Sequence, residues 1–182
     1  MKTSRAKSSR KTKGSKKPNL TGSLGEMLAG YELAKRDWLV ANLNTLFHNS
    51  PNVDFVALKG KKAVLIQIKS SANGNFQFSG QGRERIFNRK AGPKAAFVIF
   101  VILNYAIQDG LTQSTFYIVP VSVAERAITR AHQFWLRFPK RDGSQRRDSM
   151  RGIGFSGSDS PTNIARDFAR KWAAYKDAWH LL

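Results

Sequence analysis

Between Ala95 and Leu103 the chain is almost without polar side chains, and Phe97-Val98-Ile99-Phe100-Val101-Ile102 is unbroken apolar sequence. A run of that length, rich in β-branched and aromatic residues, suits a strand buried on both faces. A sheet that holds such a strand needs a layer packed on each side. The neighbouring segments read as its partners. Thr115-Phe116-Tyr117-Ile118-Val119 is a second strand, stopped by Pro120. Upstream, two apolar runs, Val53 to Leu58 and Ala63 to Lys69, flank Lys59-Gly60-Lys61-Lys62, which is a hairpin signal. Trp38-Leu39-Val40 reads as a short strand entry, and Phe76-Gln77-Phe78 alternates as a further short strand. The Asn-rich stretch from Asn42 to Asn52 reads as a polar loop or a poorly formed strand.

Helices are expected at three places. Ser23 precedes Leu24, Met27, Leu28, Tyr31 and Ala34, a 3–4 spacing that marks an amphipathic helix running to about Asp37. Ser122-Val123-Ala124-Glu125 has the form of a capping box, followed by Ala127, Ile128, Ala131 and Trp135 at helical spacing. Pro161 after Ser160 suits the first position of a last helix. Its stripe of Ile164, Phe168, Trp172, Tyr175, Trp179 and Leu182 reads as core packing and not as a base-stacking platform. The succession predicts an α/β or α+β sandwich with a mixed central sheet over residues 20–182. Two basic loops interrupt it, one over 79–94 and one over 139–160.

Charge narrows the partners. The chain has 31 Lys and Arg against 12 Asp and Glu, a formal net charge of +19. That balance is the electrostatic signature of a polyanion partner, nucleic acid before an anionic membrane surface. Residues 1–19 hold Lys2, Arg5, Lys7, Arg10, Lys11, Lys13, Lys16 and Lys17 among small polar residues. They read as a disordered basic arm, either a phosphate-binding arm or a solubilising or localising tail. There is no cysteine, and His48, His132 and His180 lie far apart, which argues against a zinc site. No apolar run approaches the roughly 18 residues of a membrane span, and no signal-peptide pattern opens the chain. A cytoplasmic, non-secreted protein is expected.

The hairpin carries the chemistry. Asp54 opens its first run, and Gln67 and Lys69 stand two apart at the end of its second, so they share a face. Polar groups among buried neighbours need partners or a task. Phosphodiester hydrolysis needs a divalent cation, a nucleophilic water and charge stabilisation at the phosphate. Mg²⁺ prefers oxygen ligands. Asp54 offers a carboxylate, Gln67 an amide oxygen, and the backbone carbonyl of Ile68 a third oxygen. Lys69 suits orienting or deprotonating the attacking water and balancing developing charge.

Asp54, a hairpin, Gln67-Ile68-Lys69 and an upstream helix with Gly25-Glu26 together resemble the core of the PD-(D/E)XK nuclease superfamily. Restriction endonucleases, Holliday junction resolvases and RecB-type nucleases belong to it. The resemblance is clearest over residues 21–71, and the strands near residues 100 and 117 look similar to bacterial and archaeal members. It implies a restriction-endonuclease-like three-layer α/β sandwich and a Mg²⁺-dependent DNA endonuclease of restriction or recombination and repair type, with Mn²⁺ as a second usable cation. Asp54 would be the metal-binding aspartate, Lys69 the catalytic lysine and Glu26 the helix carboxylate found in several branches. Gln67 stands where Glu or Asp is commoner, and Val53 replaces the proline before the aspartate. Glu26 has a second reading, as the last member of a capping box with Ser23. Arg83, Arg85, Arg89 and Lys90 are candidates for gripping phosphates, or form a solvated face. Many members cut both strands as dimers, so the resemblance also points to a homodimer, and to prokaryotic or viral origin. The competing reading is a catalytically inactive nucleic-acid-binding module on a nuclease-like scaffold. The neutral Gln67 favours it.

Overall fold

The computed structural model describes residues 20–46, 50–80, 84–103, 114–155 and 171–182. The basic arm over residues 1–19 lies outside them. Helix α1 (Leu20–Ala34) leads into strand β1 (Leu39–Asn42) and a single helical turn, α2 (Leu43–Leu46). Strands β2 (Phe55–Lys59) and β3 (Lys62–Ser71) form the hairpin, joined through Gly60 at φ 58°, a left-handed conformation that costs glycine little. Strands β4 (Asn75–Ser79), β5 (Phe97–Ile102) and β6 (Thr115–Pro120) follow, then helix α3 (Val121–Leu136) and strand β7 (Met150–Gly154).

Five strands make one mixed sheet in the order β1-β2-β3-β5-β6. Only β3 and β5 run parallel; the other neighbours are antiparallel. The apolar run of β5 is buried on both faces, as its composition predicts. Ile99 and Val101 meet the core under α1, with Ala29, Leu33, Ile66 and Ile68. Val98, Phe100 and Ile102 meet the other core, with Ala124 and Ile128 of α3, Phe76 and Phe78 of β4 and Ile153 of β7. Helices therefore flank a mixed central sheet on both faces.

Four sequence expectations need correction. Met27 and Tyr31 are 71% and 60% exposed, and the buried face of α1 is Gly25, Ala29 and Leu33. Small residues face inward because the helix lies very close to β3: a Cβ on Gly25 would overlap the side chain of Ser70. Ser70 Oγ also donates to Thr21 O at 2.9 Å, tying the two elements together. Neither capping box forms. Helix α1 begins at Leu20, so Ser23 lies inside it, and α3 starts after Pro120 with no side-chain cap.

The basic loop over 139–160 contains β7, which pairs with β4. Met150-Arg151-Gly152-Ile153-Gly154 is poor in strand formers, so its order comes from tertiary pairing. Arg151, a cation of that loop, is buried, and its Nη1 donates to Glu84 O at 2.7 Å.

The last helix is also different. Residues 161–170 lie outside the described set, and 171–182 do not continue as one α-helix. They contain two 3-10 turns, Ala173–Tyr175 and Trp179–Leu181. Asp177, at φ 50°, donates its N–H to Phe116 O, which draws the chain alongside β6. Trp172 then packs in one core, while Trp179 and Leu182 pack in the other. Those three side chains are core, as read from the stripe.

Gly25→Ala tests the close approach of α1. Alanine favours the helix by about 1 kcal/mol over glycine, while overpacking costs up to about 3 kcal/mol. The expected net loss is about 2 kcal/mol, measured by denaturant unfolding. A neutral or stabilising result would mean that α1 stands further from β3.

Candidate active site

Asp54 stands one residue before β2, where the ladder is already formed: its N–H donates to Ile66 O at 2.9 Å and its carbonyl accepts from Leu43 N at 2.8 Å. Its side chain is held twice more. Oδ2 accepts from the Ile68 N–H at 2.6 Å and Oδ1 from Asn44 Nδ2 at 3.0 Å. A carboxylate offers about four lone-pair positions, so two contacts leave room for further ligation.

On β3, Ile66 and Ile68 turn toward the α1 core, which sends Gln67 and Lys69 to the opposite face. Gln67 Oε1 is buried and accepts no hydrogen bond among the described residues. Leaving such an oxygen without a donor costs about 1–3 kcal/mol. Asp54, Gln67, Lys69 and Asn44 line a polar cleft of about 360 Å³ together with Asn88, Arg89 and Lys90. Ile68 itself turns into the core, and the contact it makes to the site is its N–H on Asp54.

Glu26 is close by but not in that cleft. Its Oε2 accepts from Asn42 Nδ2 at 3.0 Å and its Oε1 from Asn44 Nδ2 at 3.2 Å. Carboxylates only accept, so both amides must turn their NH₂ groups toward Glu26. Three of the four predicted residues thus share one cleft, and the fourth joins through Asn44.

Of the four loop cations, Arg89 and Lys90 line the cleft. Arg83 lies outside the described residues. Arg85 lines a different depression, with Glu125 and Arg126. Arg89 lines the cleft, but its guanidinium is engaged by Ser79 O, Ser79 Oγ and Glu84 Oε2 at 3.0, 3.2 and 3.0 Å. The backbone of Lys90 is clamped by Asn52, whose Nδ2 donates to Lys90 O at 2.8 Å and whose Oδ1 accepts from Lys90 N at 3.1 Å. Glu125 holds the same loop from α3, accepting from the Ile86 and Phe87 N–H groups at 2.7 and 3.0 Å.

Sequence reasoning passed over Asn42, Asn44, Asn52 and Asn88. Part of the signal was readable. Asn42-x-Asn44 directly after a strand suits an Asx turn, and Asn42 Oδ1 accepts from Asn44 N at 2.8 Å. Asn52 and Asn88 adopt positive φ, 66° and 54°, which asparagine tolerates better than most residues.

No protein-family model and no curated protein matches the chain. Among solved structures it is similar to a bacterial homing endonuclease, I-Ssp6803I, with a TM-score of 0.51 at 17% identity. The match covers 90% of this chain and 91% of that one. The chain has a restriction-endonuclease-like fold, the fold that the hairpin motif implies.

Proposed function

We propose that the chain is a divalent-cation-dependent DNA endonuclease. The observation that carries this reading is Gln67 Oε1, a buried oxygen with no donor among the described residues, in the same cleft as Asp54 and Lys69. An orphaned amide oxygen beside a carboxylate fits a hard cation, which takes oxygen ligands. Among the described residues no three His, Cys, Asp or Glu side chains gather in one place, so a cation here depends on that amide. Asp54 and Gln67 would hold Mg²⁺ or Mn²⁺, with the Ile68 carbonyl and Glu26 completing the donor set. The cation would supply Lewis-acid stabilisation of charge on the phosphate.

The chain's own groups account for the rest. Lys69, on the same face as Gln67, would orient the attacking water and balance charge that develops during hydrolysis. The Ile68 N–H fixes the Asp54 carboxylate so that it need not reorganise. Arg89 and Lys90, which line the same cleft, would meet the phosphate backbone. The net charge of +19 supports a polyanion as the substrate.

The test is a panel of linear, branched and single-stranded DNA, incubated with the protein in Mg²⁺ and in chelator. Cleavage in Mg²⁺ alone supports the proposal. Tight, salt-sensitive binding without cleavage, unchanged by Asp54→Ala, would establish the competing reading of an inactive binding module. Lys90→Ala should weaken DNA binding across sequences. It should also lower the slope of log affinity against log salt by about 1. An unchanged slope would take Lys90 out of phosphate contact.

A further inference from the structure

We propose that Asn44 is the positioning residue that couples Glu26 to the cation site, an inference that rests on the reading above. Its Nδ2 lies 3.2 Å from Glu26 Oε1 and 3.0 Å from Asp54 Oδ1. The amide has two hydrogens, one for each carboxylate. Two carboxylates brought this close repel each other unless a donor or a cation stands between them. Asn44 supplies that donor without adding charge of its own.

The backbone that carries Asn44 is fixed independently of its side chain. Leu43 N donates to Asp54 O at 2.8 Å, Asn44 N donates to Asn42 Oδ1 at 2.8 Å, and Thr45 Oγ1 donates to Asn42 O at 2.7 Å. The turn therefore grips the Asp54 segment twice, once through its main chain and once through Asn44. Asn42 completes the bracket on Glu26 Oε2. Glu26 has no direct hydrogen bond to Asp54 among those of the described residues, and Asn44 is the group that both share. Glu26 acts at the site because Asn44 holds it there.

The experiment is a calorimetric titration with Mn²⁺ alone, on wild type, Asn44→Ala, Glu26→Gln and the double variant. Groups that orient metal ligands typically change affinity by 10–100-fold. Each single variant is expected to bind Mn²⁺ about tenfold more weakly, and the double variant no more weakly than Asn44→Ala. Should Asn44→Ala fail to fold, Asn44→Ser replaces it, since one hydroxyl hydrogen cannot serve both carboxylates. Losses that add in the double variant, or an Asn44 variant that binds as wild type, overturn the coupling and leave the nuclease reading intact. A wild-type protein that takes up no Mn²⁺ overturns both.

Discussion

Replacing Lys69 by alanine is expected to slow DNA cleavage roughly 10²–10⁴-fold, the range for removing a group that serves proton transfer or stabilises developing charge. The loss should fall on kcat, with little change in DNA affinity, because one ammonium among 31 Lys and Arg contributes little to phosphate binding overall. Stability should change little, since Lys69 is only part-buried and its side chain makes no hydrogen bond among the described residues. Single-turnover cleavage at saturating protein, beside a binding isotherm, separates the two effects. Cleavage at the wild-type rate would remove Lys69 from the chemistry. A loss seen in affinity alone would make it one more phosphate contact. Asp54→Ala should be at least as damaging to cleavage, and its companion signature is a weaker thermal response to Mg²⁺.

The hairpin and the apolar strand were legible because each rests on local pattern. Gly60 between two apolar runs marks β2–β3, and the β-branched and aromatic content of β5 marks burial on both faces. Asp54, Gln67 and Lys69 followed from that register, since alternation alone puts Gln67 and Lys69 on one face. What could not be read depends on long-range contact. The face of α1 was misjudged because Gly25 carries no hydrophobic signal, although its missing side chain lets the helix approach Ser70. β7 was hidden because Arg151-Gly152-Ile153-Gly154 acquires strand order from β4. Glu125 fits a local capping pattern but bonds to Ile86 and Phe87, 39 and 38 residues away. Asn44 shows the same limit at the site, because its two carboxylate partners lie 18 and 10 residues away in sequence.

Phe100→Ala is expected to be the most destabilising single change, by about 3–5 kcal/mol, which is the usual cost of emptying a buried phenylalanine site. Phe100 is fully buried at the centre of a ring cluster: Phe76, Trp172, Phe155, Phe87 and Phe78 lie at centroid distances of 5.0, 5.5, 6.1, 6.3 and 6.4 Å. Those partners come from β4, from the connection between β4 and β5, from the segment after β7 and from the C-terminal residues. Removing the ring therefore loosens four elements at once, and the cavity cannot be closed by one neighbour alone. For a domain of this size 1 kcal/mol moves Tm by about 2–4 °C, so a fall of roughly 10 °C is expected. The functional consequence is directional. Phe100 pairs in register with Lys69 on β3, and that strand is held by β2 and α1 as well. The cleft-lining residues Asn88, Arg89 and Lys90 follow directly after Phe87, which leans on Phe100. At temperatures where the variant remains folded, DNA affinity should thus suffer more than kcat. The reverse pattern, kcat lost with affinity kept, would mean that the cluster supports the β3 residues and not the loop that carries Asn88, Arg89 and Lys90.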